Sequence, residues 1–130
     1  MNKHYFKEQN YVILLGNEYQ ITNDDINYIE KIDTNEYQPI FLTEYWIKKL
    51  GFIKLEIESK YEHFVKDVNK NERLRIIKDL DIFKEIHLDY LNGYRAGDTE
   101  LITTRTEFFF VHKLQNLISD HSKPDYPFKK

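Results

Sequence analysis

Between Phe52 and Thr104 the chain is cut into short β-prone runs by turn signals at regular intervals, and this limits the possible folds more than any other feature. Phe52-Ile53-Lys54-Leu55-Glu56-Ile57 alternates as a half-buried strand does. Tyr61-Glu62-His63-Phe64-Val65-Lys66 stands as its hairpin partner across Ser59-Lys60. Ile57, Tyr61, Phe64, Val65 and Val68 also fit helical spacing, so residues 52–68 allow a hairpin or a helix, and we read them as strands. Leu74–Ile77, Ile82–Leu88 and Leu101–Thr104 continue the series, with turns at Asn69–Glu72, Asn92-Gly93 and Ala96-Gly97-Asp98. Successive short strands joined by tight turns predict one antiparallel sheet, and with flanking helical segments an α+β domain.

The clearest helix lies just before this series. Pro39 forces Gln38 into an extended conformation, Thr43 is placed to cap, and Leu42 precedes it at the staple position facing Ile47. Trp46, Ile47 and Leu50 form the inward face, Lys48 and Lys49 suit the carbonyl end, and Gly51 with Phe52 spells a left-handed stop. Every part of this stretch has an architectural use, with Trp46 as core anchor.

Upstream, Tyr11–Leu15, Gly16-Asn17 and Glu18–Ile21 predict a β-hairpin. Thr22 caps a helix through about residue 31, with Asp25 in the capping-box position, Asp24 and Asp25 suiting the helix dipole, and Ile26, Ile29 and Ile32 on one stripe. Downstream, Thr104 with Glu107 three residues on predicts a helix over 105–118, with Phe110, Val111, Leu114, Leu117 and Ile118 inward. His112, Gln115 and Asn116 then form a polar helix face. Pro124 and Pro127 exclude further regular helix. The expected layout is one domain over 1–122 and a loosely held tail over 123–130.

Composition excludes several classes of function. With 130 residues and 41% apolar content the chain can bury a real core. It has no cysteine, hence no disulfide, thiolate zinc site or cysteine nucleophile. Its five histidines show no metal-ligand spacing, and neither a phosphate-cradling glycine loop nor a GxSxG elbow occurs, so no metal, cofactor or catalytic residue is assigned. The first residues lack an apolar signal core and no run is long enough for a membrane span, which predicts a cytoplasmic protein with no membrane partner.

Two surfaces qualify as binding candidates. The net charge of −3 argues against bulk nucleic-acid attraction, but the charge is unevenly spread. Residues 1–45 hold three lysines against eight acids, net −5, and the remainder holds sixteen basic against fourteen acidic residues, net +2. Glu18, Asp24, Asp25, Glu30, Asp33 and Glu36 therefore make an acidic half suited to a basic protein surface. The second candidate is a basic run, Lys66, Lys70, Arg73, Arg75 and Lys78, near Tyr61 and Phe64. Strand alternation puts Arg73 and Arg75 on one face, where they could grip RNA phosphates; an ordinary solvated sheet face is the plainer alternative.

The two landmark stretches also carry a resemblance. Pro39-Ile40-Phe41-Leu42-Thr43-Glu44 leading to Leu50-Gly51-Phe52, with the distant Val111-His112-Lys113-Leu114-Gln115-Asn116-Leu117, resembles small uncharacterised proteins of Bacteroidota prophages and conjugative elements. Those proteins show PIPLTEE…L…GF and VHQLQNLY. Phe41 replaces their proline, Lys113 their first glutamine, and Ile118 their final aromatic residue. The resemblance implies a setting rather than an activity. Accessory proteins of mobile elements often inhibit host defence, which gives the expectation of a non-enzymatic, anti-CRISPR-like inhibitor. Its partner would be a host effector protein or ribonucleoprotein, an RNA-targeting type VI CRISPR nuclease among them, with guide or target RNA binding disturbed. The alternatives are an RNA- or DNA-binding accessory factor using the Lys/Arg face, or a phage structural or assembly protein.

Overall fold

A computed structural model describes residues 2–32, 35–80, 82–104 and 109–122. In chain order it contains β1 (Tyr11–Leu14), β2 (Asn17–Gln20), α1 (Asn23–Lys31), β3 (Tyr37–Gln38), α2 (Glu44–Lys49), β4 (Ile53–Lys54), β5 (Glu62–Asp67), β6 (Glu72–Asp79), β7 (Ile82–Tyr90), β8 (Thr99–Thr103) and α3 (Val111–Ser122). The domain is α+β, with two antiparallel sheets where the sequence suggested one. β2-β1-β3 form a small sheet and β4-β5-β6-β7-β8 a five-stranded meander. Glu62–Asp67 is strand, which resolves the 52–68 ambiguity, although its partner is only the short Ile53–Lys54: Ile53 pairs with Val65, and the Leu55 amide donates to the His63 carbonyl at 2.9 Å.

Strand alternation gives the meander an apolar and a polar face. Register places Phe64, Ile76 and Ile86 in one row and Lys66, Leu74 and Leu88 in the next. Phe64, Leu74, Ile76 and Ile86 are fully buried. They pack with Trp46, Ile47 and Phe52 from α2 and its exit, and with Val111 and Leu114 from α3. The opposite face carries His63, Arg73, Arg75, Glu85, His87 and Asp89 around the buried Val65.

α2 is built as its sequence reads. The Trp46 amide donates to the Thr43 hydroxyl at the N-terminus. At the other end the Phe52 amide donates to the Ile47 carbonyl (3.1 Å) and the Gly51 amide to that of Lys48 (3.0 Å), the paired bonds of a Schellman stop. Gly51 has φ +99, so the backbone calls for glycine; a Cβ there would meet only the flexible end of Lys66, whose Nζ would stand 2.7 Å away. α1 likewise begins with a complete Thr22–Asp25 capping box. The β1–β2 hairpin turns on Leu15 (φ 51) and Gly16 (φ 85), the two positive φ angles of a type I′ loop.

α3 departs from expectation. It starts at Val111, not near Thr104, and runs on to Ser122. Phe109 and Phe110 are extended, with Phe110 bridged antiparallel to Phe41. The Leu42 amide donates to the Phe109 carbonyl and the Val111 amide to that of Ile40, each at 2.9 Å. This pairing takes the backbone groups that an earlier helix start would need, so the first helical bond runs from Leu114 to Phe110. The two landmark stretches of the sequence are thus joined in space. Glu107 and the tail over 123–130 lie outside the described residues.

Candidate functional site

The N-terminal segment is docked on α3 by the polar helix face predicted from sequence. Gln115 accepts from the Tyr11 amide (2.8 Å) and donates to the Gln9 carbonyl (3.1 Å), and Asn116 accepts from the buried Asn10 amide group (2.9 Å). His112, placed by the sequence on that polar face, is 1% exposed. Its Nε2 donates to the His4 carbonyl at 3.0 Å, and the Phe6 ring meets it edge-on at 4.6 Å. Burial pushes the imidazole down to about 4, against the smaller opposing effect of the His4 carbonyl. Nδ1 has no hydrogen-bond partner among the described residues, as fits a neutral ring kept for packing. His112 and Gln115 form an internal seam, not a surface for a ligand, while Asn116 stays half-buried at its edge. Helical periodicity could not reveal this, because the segment that covers them lies more than a hundred residues away in sequence.

The acidic candidates divide. Asp25 is committed internally, accepting hydrogen bonds from the Tyr19 hydroxyl (2.6 Å), the Thr22 amide (2.8 Å) and the Tyr37 hydroxyl (2.7 Å). Burial raises its carboxyl, but the bonds from Tyr19, Thr22 and Tyr37 outweigh that and hold it at about 2. Burial and the Asp25 bond in turn push the Tyr37 hydroxyl upward. Glu18 stands 3.6 Å from Lys49, whose ammonium lies 4.6 Å over the Trp46 ring. Asp24 and Glu30 are exposed on α1, and Glu36 accepts from the Tyr28 hydroxyl at 2.7 Å. Asp33 lies outside the described residues.

The basic candidates do not converge. Arg73 and Arg75 share the open sheet face as predicted. Lys66 lies instead against Gly51 at the carbonyl end of α2, and Lys78 reaches Glu62 (3.3 Å) and Glu44 (3.6 Å) on the α2 side. Lys70 is exposed in the β5–β6 turn. Both arginines are already neutralised, Arg73 by Asp67 (2.6 Å) and Arg75 by Asp89 (2.8 Å). A phosphate there would have to displace a carboxylate.

Around Arg75 the open face holds a polar chain that sequence reading missed, because its members come from separate strands. Arg75 Nη1 donates to His63 Nδ1 (2.9 Å), and Ser59 Oγ lies 3.3 Å from His63 Nε2. Burial, then the Arg75 charge, lowers the His63 pKa. Asp89 accepts from Thr99 Oγ1 (2.9 Å), and His87 Nε2 donates to Glu85 (2.6 Å). His63, Arg75, His87, Asp89 and Thr99 line an open concavity of about 550 Å³. Thr99, His87 and Glu85 stand in the order hydroxyl, imidazole, carboxylate. The hydroxyl, however, gives its proton to Asp89, while His87 Nδ1 is farther away at 3.4 Å. The arrangement therefore holds a hydroxyl in place without activating it.

No protein-family model, curated protein or solved structure matches this chain. Among the described residues no helix is long and apolar enough to cross a membrane, and no His/Asp/Glu group could hold a metal ion.

Proposed function

We propose that this chain is a non-enzymatic binding protein of a mobile element that inhibits a host defence nuclease, in the manner of anti-CRISPR proteins. The inhibitor works in the bacterial cytoplasm. It docks its acidic N-terminal layer on the nuclease's basic surface and disturbs guide or target RNA binding; a type VI CRISPR effector is the favoured target. The genetic setting rests on the resemblance carried by Pro39–Phe52 and Val111–Leu117.

One contrast in charge carries the docking reading. The cations of the open sheet are neutralised in place, whereas Asp24 and Glu30 stand exposed on a helix locked by the Asp25 hydrogen bonds. Fixed charges on a rigid element steer a partner of opposite sign without an ordering cost. With Asp25 committed inside and Glu18 beside Lys49, the docking set among the described residues reduces to Asp24, Glu30 and Glu36.

Co-expression with candidate defence systems should restore phage or plasmid survival against one of them. Asp24→Lys with Glu30→Lys should abolish that rescue while leaving the fold intact. Failure to rescue against every system tested would remove the proposal. Rescue that survives the charge reversal would remove the acidic surface from it.

A further inference from the structure

We propose that the groove between the N-terminal segment and α3 binds single-stranded nucleic acid, a base stacking on Tyr5 while neighbouring phosphates meet Lys7 and Lys113. The observation that prompts this is an exposed aromatic in a disfavoured backbone. Tyr5 has φ 59, a left-handed conformation rare for bulky residues, yet its side chain is 70% exposed and gains no core packing in return. The conformation is imposed from both sides. The Tyr5 amide donates to the Asn2 carbonyl (3.1 Å), while the Asn2 side chain exchanges hydrogen bonds with the Phe6 carbonyl (2.6 Å) and amide (2.9 Å). Phe6 is then buried against His112, and Tyr5 is turned outward.

The outward ring forms one wall of a groove of about 240 Å³ lined by Tyr5, Lys7, Lys113, Asn116, Leu117 and Asp120. Lys113 Nζ stands 5.0 Å from the ring centroid. The positive potential is felt locally: after burial, the charges of Lys3 and Lys113 are what depress His4. Asp120, two helical turns and roughly 10 Å along α3 from Lys113, gives the groove an acidic far end. A phosphate is thereby confined to the Tyr5 end.

This combination selects the ligand. An acidic peptide would use the two lysines and leave the ring idle, and a duplex keeps its bases stacked on each other. A single strand uses both the aromatic face and the cations. The inference goes beyond the docking reading and does not depend on it, since neither Asp24 nor Glu30 lines the groove.

The test is fluorescence anisotropy with labelled single-stranded RNA and DNA of about 12 nucleotides and a matching duplex, at about 50 mM salt. The strands should bind in preference to the duplex, with a log–log salt slope of about −1.4 for two phosphates. Tyr5→Gly is the decisive variant, because glycine accepts φ 59 without strain. It should weaken binding roughly tenfold while the unfolding midpoint stays level or rises. Lys7→Glu with Lys113→Glu should abolish binding. The proposal is overturned if wild type binds no strand, or if Tyr5→Gly binds as well as wild type. It is equally overturned if only Arg73→Glu with Arg75→Glu disrupts binding, or if polyglutamate binds and the strands do not.

Discussion

The two apolar clusters on either side of β1 are held by different physics. Facing α3 and the meander, Tyr11 and Ile13 join a cluster of fourteen buried residues reaching from Ile40 to Leu114. Facing α1, Val12 joins a smaller cluster, with Phe6, Ile21, Ile29 and Tyr37 buried and Leu14, Tyr19 and Ile26 partly buried against them among the described residues. The large cluster is secured by area: its central row is fully shielded from water and its strands are paired along their length. The small one buries too little for that and is fixed by directional bonds at Asp25, Asn10, Gln115 and His112. The regions should therefore fail differently, the sheet all at once and the N-terminal layer at its polar ties, with a marked response to pH.

The largest effect should come from the sheet. Ile76→Ala removes a fully buried side chain from the central row and should cost about 2–5 kcal/mol in urea unfolding, as one cooperative loss. A separate early transition of the sheet, with the N-terminal layer still folded, would invert the comparison.

Next comes the pH response of His112. Its folded pKa of about 4 lies below the ordinary value of 6.5, so the unfolded chain binds the extra proton. The stability this shift contributes is complete above about pH 6.5 and is lost as pH falls towards 4, on the order of 3 kcal/mol. Urea midpoints measured from pH 7 to pH 4 should fall for wild type and flatten for His112→Phe. An equal slope in both proteins would exclude the histidine as the cause.

Asp25 tests the other side of the layer. Asp25→Asn weakens four charge-assisted bonds and should cost roughly 1–2 kcal/mol, seen as faster amide exchange in α1 with β6 and β7 unchanged. Because the folded carboxyl sits at about 2, its contribution is present above the ordinary carboxylate value and disappears as pH drops from about 4 to 2. This window lies below that of His112, so the two can be separated in one titration series.

The smallest effect should be at the open sheet face. Arg75→Gln cuts an ion pair that is still partly in water and should change stability by less than about 1 kcal/mol. A larger loss would mean that the open face is as structural as the seam.

Much of the fold was legible because its signals are local. Thr43 with Gly51 and Phe52 bound α2, Thr22 with Asp25 bounds the start of α1, and alternation from Phe52 to Thr104 yields the meander, each within a few residues of its own cause. The candidate sites were far less legible. Arg73 and Arg75 do share a face, as alternation requires, but nothing nearby in sequence announces that Asp89 reaches back to Arg75.

By itself, then, the sequence determined caps, stops, strand faces and fold class, since these depend on backbone geometry and side chains only a few residues apart. Tertiary structure alone decided that Phe109 and Phe110 pair with Ile40–Leu42 instead of starting α3, and that the hairpin builds a second sheet. It also decided that His112 is buried under a segment from the far end of the chain, and that Tyr5 is turned out of it. Hydrogen-bond partners and burial between distant segments are set by which surfaces meet, and no local pattern records that meeting.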